Sequence, residues 1–377
     1  MQRCKRCLMP DTKPGVVIED GICRACRNSE YKRTIDYKKR WKELEALCDK
    51  YRRKDNYYEV LMAASGGKDS HFQTYVFKEK LGMKVLLCKG NDPYTRTKVG
   101  DHNLRNLQER FKCDLISAQP NQATVRQMTR IAFEEMGMPN WPTDRLIYTF
   151  PIRMAIAMKI PLLVYGENVS WEYGGVQKEE TYSARDQINN DVARKVDWDL
   201  WRKNGIKDEE LVLFEYPSEE EIDKSGIEMI FLSYFVPWNA EENYRLAQKL
   251  GFRDLTGEWC RKGHVEPYDQ IDSVGYLFHA WMKWPKFGFS RVTDTVGWWI
   301  RAGLMDTKTA ARLVKEKDHE LDPNILRDFL DYTGYSEKEF WAIVEKFWNR
   351  DIFEKKDGSW ELKQKASVDH ALEESLV

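Results

Sequence analysis

The stretch Met62–Phe72, "MAASGGKDSHF", sets two glycines, a lysine and two serines directly behind an apolar run, and few folds can use that arrangement. Residues Tyr57 to Ala64, "YYEVLMAA", read as a short strand, and Asp69 to Leu81 carries Phe72, Val76 and Phe77 at helical spacing. The residues between therefore form a strand-to-helix turn. Gly66 and Gly67 permit positive φ and close backbone approach, so N–H groups converge at the helix start, where the helix dipole favours an anion. Lys68 adds a point charge, Ser65 and Ser70 add hydroxyl donors, and Asp69 can hold a magnesium ion shared with phosphates. From Ala64 to Ser70 the turn reads as a phosphate cradle. The spacing from glycine to lysine is too short for the G-x-x-x-x-G-K-S/T loop. An ordinary turn with a solvated lysine is the simpler reading, and the six matching residues in a strand-helix setting weigh against it.

From Tyr57 onward strand-like and helix-like segments alternate. "KVLLCKG" and "CDLIS" read as strands around a helix at "GDHNLRNLQERF", helices follow at Gln122 to Gly137 and Asp144 to Lys159, and "PLLVYGE" is a strand again. Such alternation predicts an α/β fold, a doubly wound parallel sheet with ligands bound beyond the carboxyl ends of its strands. Two further strand ends then become candidates. One holds Asn91 and Asp92; the other is "GENVSWEYGG", with Gly166, Glu167, Asn168, Trp171, Glu172 and Tyr173. Turn chemistry alone would account for the first, whereas the second has more carboxylates and aromatics than a turn requires. Residues 177 to 224 read as a polar insertion or lid, "MIFLSYFVPW" as a late strand, and the chain beyond Thr256 as helical.

At the front, Cys4, Cys7, Cys23 and Cys26 form two C-x2-C pairs fifteen residues apart. Two such turns supply the four tetrahedral thiolates of a structural zinc site, here a zinc ribbon; disulfides and an iron–sulfur cluster are the alternatives. Four thiolates leave zinc no open position, so its role is folding or docking. Tyr31 to Lys54 reads as a connecting amphipathic helix carrying Trp41, Leu44 and Leu47. Cys48, Cys88, Cys113 and Cys260 show no paired spacing. The expected division is a ribbon (1–30), the connecting helix (31–56), a nucleotide-binding unit (57–255) and a helical C-terminal region (256–377).

Lysine and arginine total 60 against 61 acidic residues, a formal charge of −1. A protein gripping RNA usually carries a basic surplus, so this balance disfavours a nucleic-acid partner. No apolar run is long enough to span a bilayer, and "MQRCKRCLMP" lacks the apolar core of a secretory signal, so a cytoplasmic protein with no membrane partner is expected.

"SGGKDS" resembles the pyrophosphate loop of the PP-loop ATPases, or N-type ATP pyrophosphatases, a HUP-like fold. That resemblance implies cleavage of ATP between its α and β phosphates, with a substrate oxygen becoming adenylated. Together with the ribbon "CKRCLMP…GICRAC", the strand end "GENVSWEYGG" and "HAWMKWPKFGFSRVTDTVGWWIRAG", the chain resembles the N-acetyl sugar amidotransferases of bacterial surface-glycan biosynthesis, which serve flagellin pseudaminic acid or lipopolysaccharide O-antigen. The resemblance implies conversion of a sugar acetamido group, on a sugar that is nucleotide-linked, into an acetamidino group, with ATP, Mg2+ and structural zinc as cofactors. Ammonia would come from a separate glutaminase, similar to the glutaminase and cyclase pair of histidine biosynthesis, or from solution. Lys68 and Asp69 would act at the phosphates, Glu167 or Glu172 on the ammonia, and Lys286, Arg291 and Arg301 would meet the sugar's carboxylate or phosphate. The rival class is a PP-loop tRNA thiolase, and a third is an ATP-binding scaffold without activity.

Overall fold

The computed structural model describes residues 1–175, 180–189 and 197–370. Strands β1 (Ile18–Glu19) and β2 (Ile22–Cys23) pair antiparallel and lead into helix α1 (Arg24–Lys32). The single connecting helix expected from Tyr31 is instead the end of α1 plus a second helix, α2 (Tyr37–Lys50). Asp36 restarts the chain by accepting hydrogen bonds from the N–H groups of Lys38 and Lys39, an N-cap that satisfies donors a continuous helix would have used internally.

Five parallel strands follow: β3 (Val60–Ala63), β4 (Val85–Gly90), β5 (Asp114–Ala118), β6 (Leu162–Tyr165) and β7 (Glu228–Phe231). Their order is β5-β4-β3-β6-β7, with Val60 opposite both Val85 and Leu162. Helices α3 (Lys68–Tyr75), α4 (Lys98–Phe111), α5 (Gln122–Ile131) and α6 (Trp141–Ala157) make the crossovers. Strands β3, β4 and β6 read as continuous apolar runs because they are buried on both faces, whereas β5, at the edge of the sheet, is largely exposed. Leu61, Leu86, Leu163 and Met229 enter one core, with Trp141 and Phe150 of α6. Val60, Met62, Leu87, Val164 and Ile230 enter the other, with Leu44 of α2 and Leu107 of α4. The period-two pleat thus divides the apolar residues between two layers of helices, and the fold is a doubly wound α/β sheet.

Three further expectations need correction. Of the polar insertion read at 177–224, residues 177–179 and 190–196 lie outside the described residues, and most of the rest packs down instead of standing off as a lid. Short helices at Trp198–Lys203, Asp208–Leu211, Val212–Phe214 and Glu219–Ser225 bury Trp201, Leu211, Phe214 and Ile222 in the first core. Each brings one or two anchors at uneven spacing, so no periodic signal marks them. The run "MIFLSYFVPW" is strand only to Phe231; Leu232–Phe235 is a turn of helix, because an unbroken apolar run does not distinguish the two states. The C-terminal region is helical as expected, around an aromatic core of Phe278, Phe329 and Phe340, but ends in an unexpected hairpin, β8 (Phe353–Lys356) and β9 (Ser359–Leu362).

Candidate active site

The sheet reverses its winding at β3, whose neighbours β4 and β6 lead to opposite sides, and a crevice at such a point is where doubly wound sheets bind ligands. A cavity of about 830 Å³ opens there. Its floor is the carboxyl ends of β3, β4 and β6, and its roof comes from residues 268 to 298 of the C-terminal region.

The loop after β3 has a built-in geometry. Gly66 sits at φ +102°, and a Cβ there would come within 3.0 Å of the Leu104 backbone, so only glycine fits. The Ser70 hydroxyl accepts from Ser65 N–H at 3.0 Å, and the Ser65 hydroxyl accepts from Gly67 N–H at 3.2 Å. His71 is buried, with Nδ1 3.0 Å from the Gly67 carbonyl and Nε2 3.0 Å from the Asn106 amide. Burial pulls its pKa down to about 4, so the neutral ring donates to Gly67 and accepts from Asn106. Ala64, Ser65, Gly67, Lys68, Asp69 and Ser70 all line the cavity.

Lys68 is almost fully buried, and its ammonium meets two carboxylates, Asp69 at 2.8 Å and Asp269 at 2.7 Å. Asp69 also accepts from the Asn243 amide at 2.8 Å. Asp269 in turn forms an ion pair with Arg291. The segment carrying Asp269 is fixed from behind by a buried pair: Arg261 donates to Glu266 at 3.1 Å and to the Asp269 carbonyl at 2.8 Å, while Glu266 accepts from the N–H groups of Tyr268 and Asp269. A buried, charge-assisted pair with this many hydrogen bonds holds its segment in one geometry. The roof is therefore latched to the loop through charges.

Across the cavity, β6 delivers Gly166 and Glu167. A Cβ at Gly166 would approach Gln73 to 2.7 Å and Trp238 to 2.8 Å, so the backbone can come this close only as glycine. Glu167 accepts from the Tyr173 hydroxyl at 2.8 Å and from the Trp238 indole at 3.0 Å. Burial, then the negative charges of Asp69 and Glu172, push its carboxyl up to about 7. A carboxyl that titrates near neutrality inside a cleft can accept or return a proton at working pH.

The candidates read from sequence divide into two groups. The loop residues other than Gly66, which packs against the Leu104 backbone, come together on the cavity with Gly166, Glu167, Tyr173, Lys286 and Arg291; Lys286 reaches the Gly137 carbonyl at 3.1 Å. The others face elsewhere. Glu172 pairs with Lys32 of α1 at 2.8 Å, and Asn91 donates to Gln119. Asn168 accepts from Trp171 N–H as the cap of the short helix α7 (Val169–Glu172), and Trp171 packs edge-on against Tyr31. Arg301 is half-buried beside the cysteines, where desolvation opposes its charge and the sulfurs of Cys7, Cys26 and Cys23 favour it, with a net upward shift. Asp269, Trp238 and Lys89 line the cavity without having been singled out. The only sequence signal for Asp269 is the acid- and aromatic-rich "EPYDQID".

The sulfurs of Cys4, Cys7, Cys23 and Cys26 lie within 4.8 Å of one another, all four residues buried. Cys7 and Cys23 are 3.4 Å apart, Cys4 and Cys26 3.9 Å. Tetrahedral ligands at the zinc–sulfur bond length stand ~3.8 Å apart, so the four fit one ion. All eight cysteines are free of disulfides. Cys88, in the cavity wall, is a buried thiol whose pKa burial pushes up.

Residues 262–367 match the family model of the C-terminal domain of WbpG-like LPS biosynthesis proteins. No curated protein matches the chain. Among solved structures, the U34-tRNA thiolase NcsA from Methanococcus maripaludis with its 4Fe–4S cluster is similar at 14% sequence identity, covering 85% of this chain and 90% of that one, with a TM-score of 0.29, too low to bear on the site. Among the described residues no helix is long and apolar enough to cross a membrane.

Proposed function

We propose that the chain is an ATP-dependent amidotransferase that turns the acetamido group of an anionic, nucleotide-linked sugar into an acetamidino group in bacterial surface-glycan biosynthesis. The observation that carries this reading is one cavity joining a phosphate-type loop, Ser65 to Ser70, to a roof of cations and aromatics from residues 268–298. That roof belongs to the segment matching the LPS biosynthesis family model.

The chemistry follows from the groups present. An amide carbon is a poor electrophile. Attack of the acetamido oxygen on the α-phosphorus of ATP releases pyrophosphate and leaves an O-adenylated imidate; ammonia then adds to the imidate carbon, and AMP departs carrying the former amide oxygen. Lys68 and the loop N–H groups would stabilise charge on the departing pyrophosphate. Glu167, once ionised, would take the proton that the attacking ammonia must lose. Magnesium, when bound, supplies charge neutralisation at the phosphates; Asp69, a hard oxygen donor about one-third exposed on the loop, suits it. Zinc is the ion that best suits four thiolates at these spacings, since a cluster of several irons would hold them farther apart.

Ammonia would reach the site from a separate glutaminase or from solution, and the cytoplasm, where nucleotide sugars and ATP are available, is the proposed location. The thiolase alternative would need a reactive thiol at the loop, and the raised pKa of Cys88 leaves it protonated and a poor nucleophile. Oxygen-18 in the acetamido group tests the pathway: the label should appear in AMP. Its retention in the sugar, or its appearance in pyrophosphate, would sink the proposal.

A further inference from the structure

A further carboxylic acid faces the cavity from the first turn of α6, on a different element from the phosphate-type loop and from Glu167. Gly90 ends β4 so close to this helix that a Cβ there would meet the Leu146 side chain at 3.1 Å. That approach sets Asp144, half-buried, on the cavity with Tyr276 and His279 of the roof. Asp144 accepts from the Tyr276 hydroxyl at 2.8 Å. Among the described residues this is the only hydrogen bond to its carboxyl, and no cation pairs with it.

One buried amide holds the group in place. Asn140 donates from its side chain to the Tyr276 carbonyl at 2.5 Å, accepts from the Tyr94 hydroxyl at 3.1 Å, and through its own carbonyl accepts from the Asp144 N–H at 2.9 Å. His279 Nδ1 lies 2.6 Å from the same Tyr276 carbonyl, and burial pulls the pKa of its ring down to about 4. The neutral ring therefore donates from Nδ1 and keeps Nε2 as an acceptor, to which no described residue donates. Two acceptors without donors thus stand beside one tyrosine on the cavity wall, positioned from behind.

Such a wall selects its ligand by hydrogen bonding. A phosphate or carboxylate group brings only acceptors and leaves Asp144 and His279 unmatched. An ammonium ion donates but accepts nothing. A sugar hydroxyl does both: it gives its proton to His279 or to ionised Asp144, and it accepts from Asp144 when that carboxyl is protonated. Burial holds the Asp144 carboxyl up at about 7 against the Tyr276 hydrogen bond, so both forms are present near neutrality. Acidic residues meet ribose hydroxyls in the same way in other doubly wound sheets.

We infer that Asp144, with His279 beside it, is a binding residue for the hydroxyl groups of a sugar ring, carried either by ATP as its ribose or by the second substrate. This role rests on the proposed function for the presence of those two ligands.

Calorimetric titration of the full metal-loaded chain, without ammonium, tests it for the wild type, Asp144→Ala and Asp144→Asn. The ligands are ATP, 2′-deoxy-ATP, 3′-deoxy-ATP, UDP-N-acetylglucosamine, CMP-N-acetylneuraminate and pyrophosphate. At least one sugar-bearing ligand should bind about tenfold or more weakly to Asp144→Ala, and lose less in Asp144→Asn, whose amide oxygen keeps an acceptor. Pyrophosphate carries no sugar and should bind all three proteins equally, which separates recognition from folding. If the ribose is the partner, one deoxy-ATP binds the wild type as weakly as ATP binds Asp144→Ala, and the substitution weakens that ligand no further. If the second substrate's sugar is the partner, its affinity falls while ATP and both deoxy forms are unmoved. Unchanged affinity for every sugar-bearing ligand overturns the assignment, as does a loss shared equally by pyrophosphate. Sugar-dependent AMP formation by the wild type would in that case still uphold the proposed function. An Asp144-dependent affinity with no AMP formed from any sugar would do the reverse, leaving the hydroxyl site standing and removing the proposed function.

Discussion

Lys68 Nζ lies 2.7 Å from a carboxylate oxygen of Asp269, although 201 residues separate the two in sequence. One belongs to the loop at the sheet's switch point and the other to the roof, so the contact couples the two halves of the cavity. A phosphate arriving at Lys68 must compete with Asp269 for the same ammonium. Asp269→Asn removes that competing charge and is expected to tighten metal-free pyrophosphate binding by roughly tenfold, since opposed charges at this range interact by a few kcal/mol near a protein surface. Lys68→Ala is expected to weaken it and to slow pyrophosphate release from ATP by about 100-fold or more. Equilibrium binding of pyrophosphate and a coupled release assay check the pair; weaker binding in Asp269→Asn would contradict the competition.

Glu167 makes both rate and stability depend on pH. As a base it must be ionised, so the rate should rise with pH through about 7. Stability runs the other way. The folded protein holds this proton more tightly than the unfolded chain, whose glutamate titrates at 4.5, so the stabilising contribution is complete below 4.5 and is lost as pH climbs to about 7. Glu167→Gln should abolish the rise in rate and flatten the melting temperature between those limits. A Gln variant with the wild-type pH–rate profile would remove Glu167 from the chemistry.

Glu172 stands near enough to raise the Glu167 carboxyl, yet its own partner is Lys32 at 2.8 Å, with both side chains largely buried. Glu172→Gln should shift the pH–rate profile towards lower pH, because a repelling charge is gone. It should also cost about 1–3 kcal/mol of stability, since Lys32 loses its counter-charge in a partly buried setting. Chemical denaturation and pH–rate profiles separate the two effects. A large loss of rate at the optimum pH, with stability unchanged, would instead argue for direct participation.

The cysteine cluster should hold one ion per chain, without visible absorbance if it is zinc. Cys4→Ser, or a strong chelator, is expected to release it and lower the melting temperature, because the ribbon core of Met9, Ala25 and Phe289 packs on those four residues. Elemental analysis and an absorption spectrum check this. Broad absorption in the visible region would replace zinc with an iron–sulfur centre.

Much of this site was legible because it is local. Ser65 to Ser70 and the C-x2-C pairs announce their geometry within a few residues, and strands β3, β4 and β6 are apolar on both faces because both are covered. Asp269 was not legible. It lies in an irregular segment without periodicity, and what orients it, Arg261 with Glu266, is a short-range pair whose burial depends on the whole roof. Trp201, Phe214 and Ile222 were hidden in charged sequence for a related reason: each helix there is too short to display a face. Arg301 misled in the opposite sense, because a cation near aromatics can serve a ligand or, as here, lie against buried sulfurs, and sequence does not distinguish these.

The most direct test of the account is incubation with ATP, magnesium and ammonium against a panel of nucleotide-activated N-acetylated sugars, measuring AMP and pyrophosphate together with the product's mass. The account predicts sugar-dependent formation of both, and a product one mass unit lighter than its substrate, as NH replaces O. AMP formation that ignores every sugar but begins on addition of tRNA would contradict it and favour the thiolase.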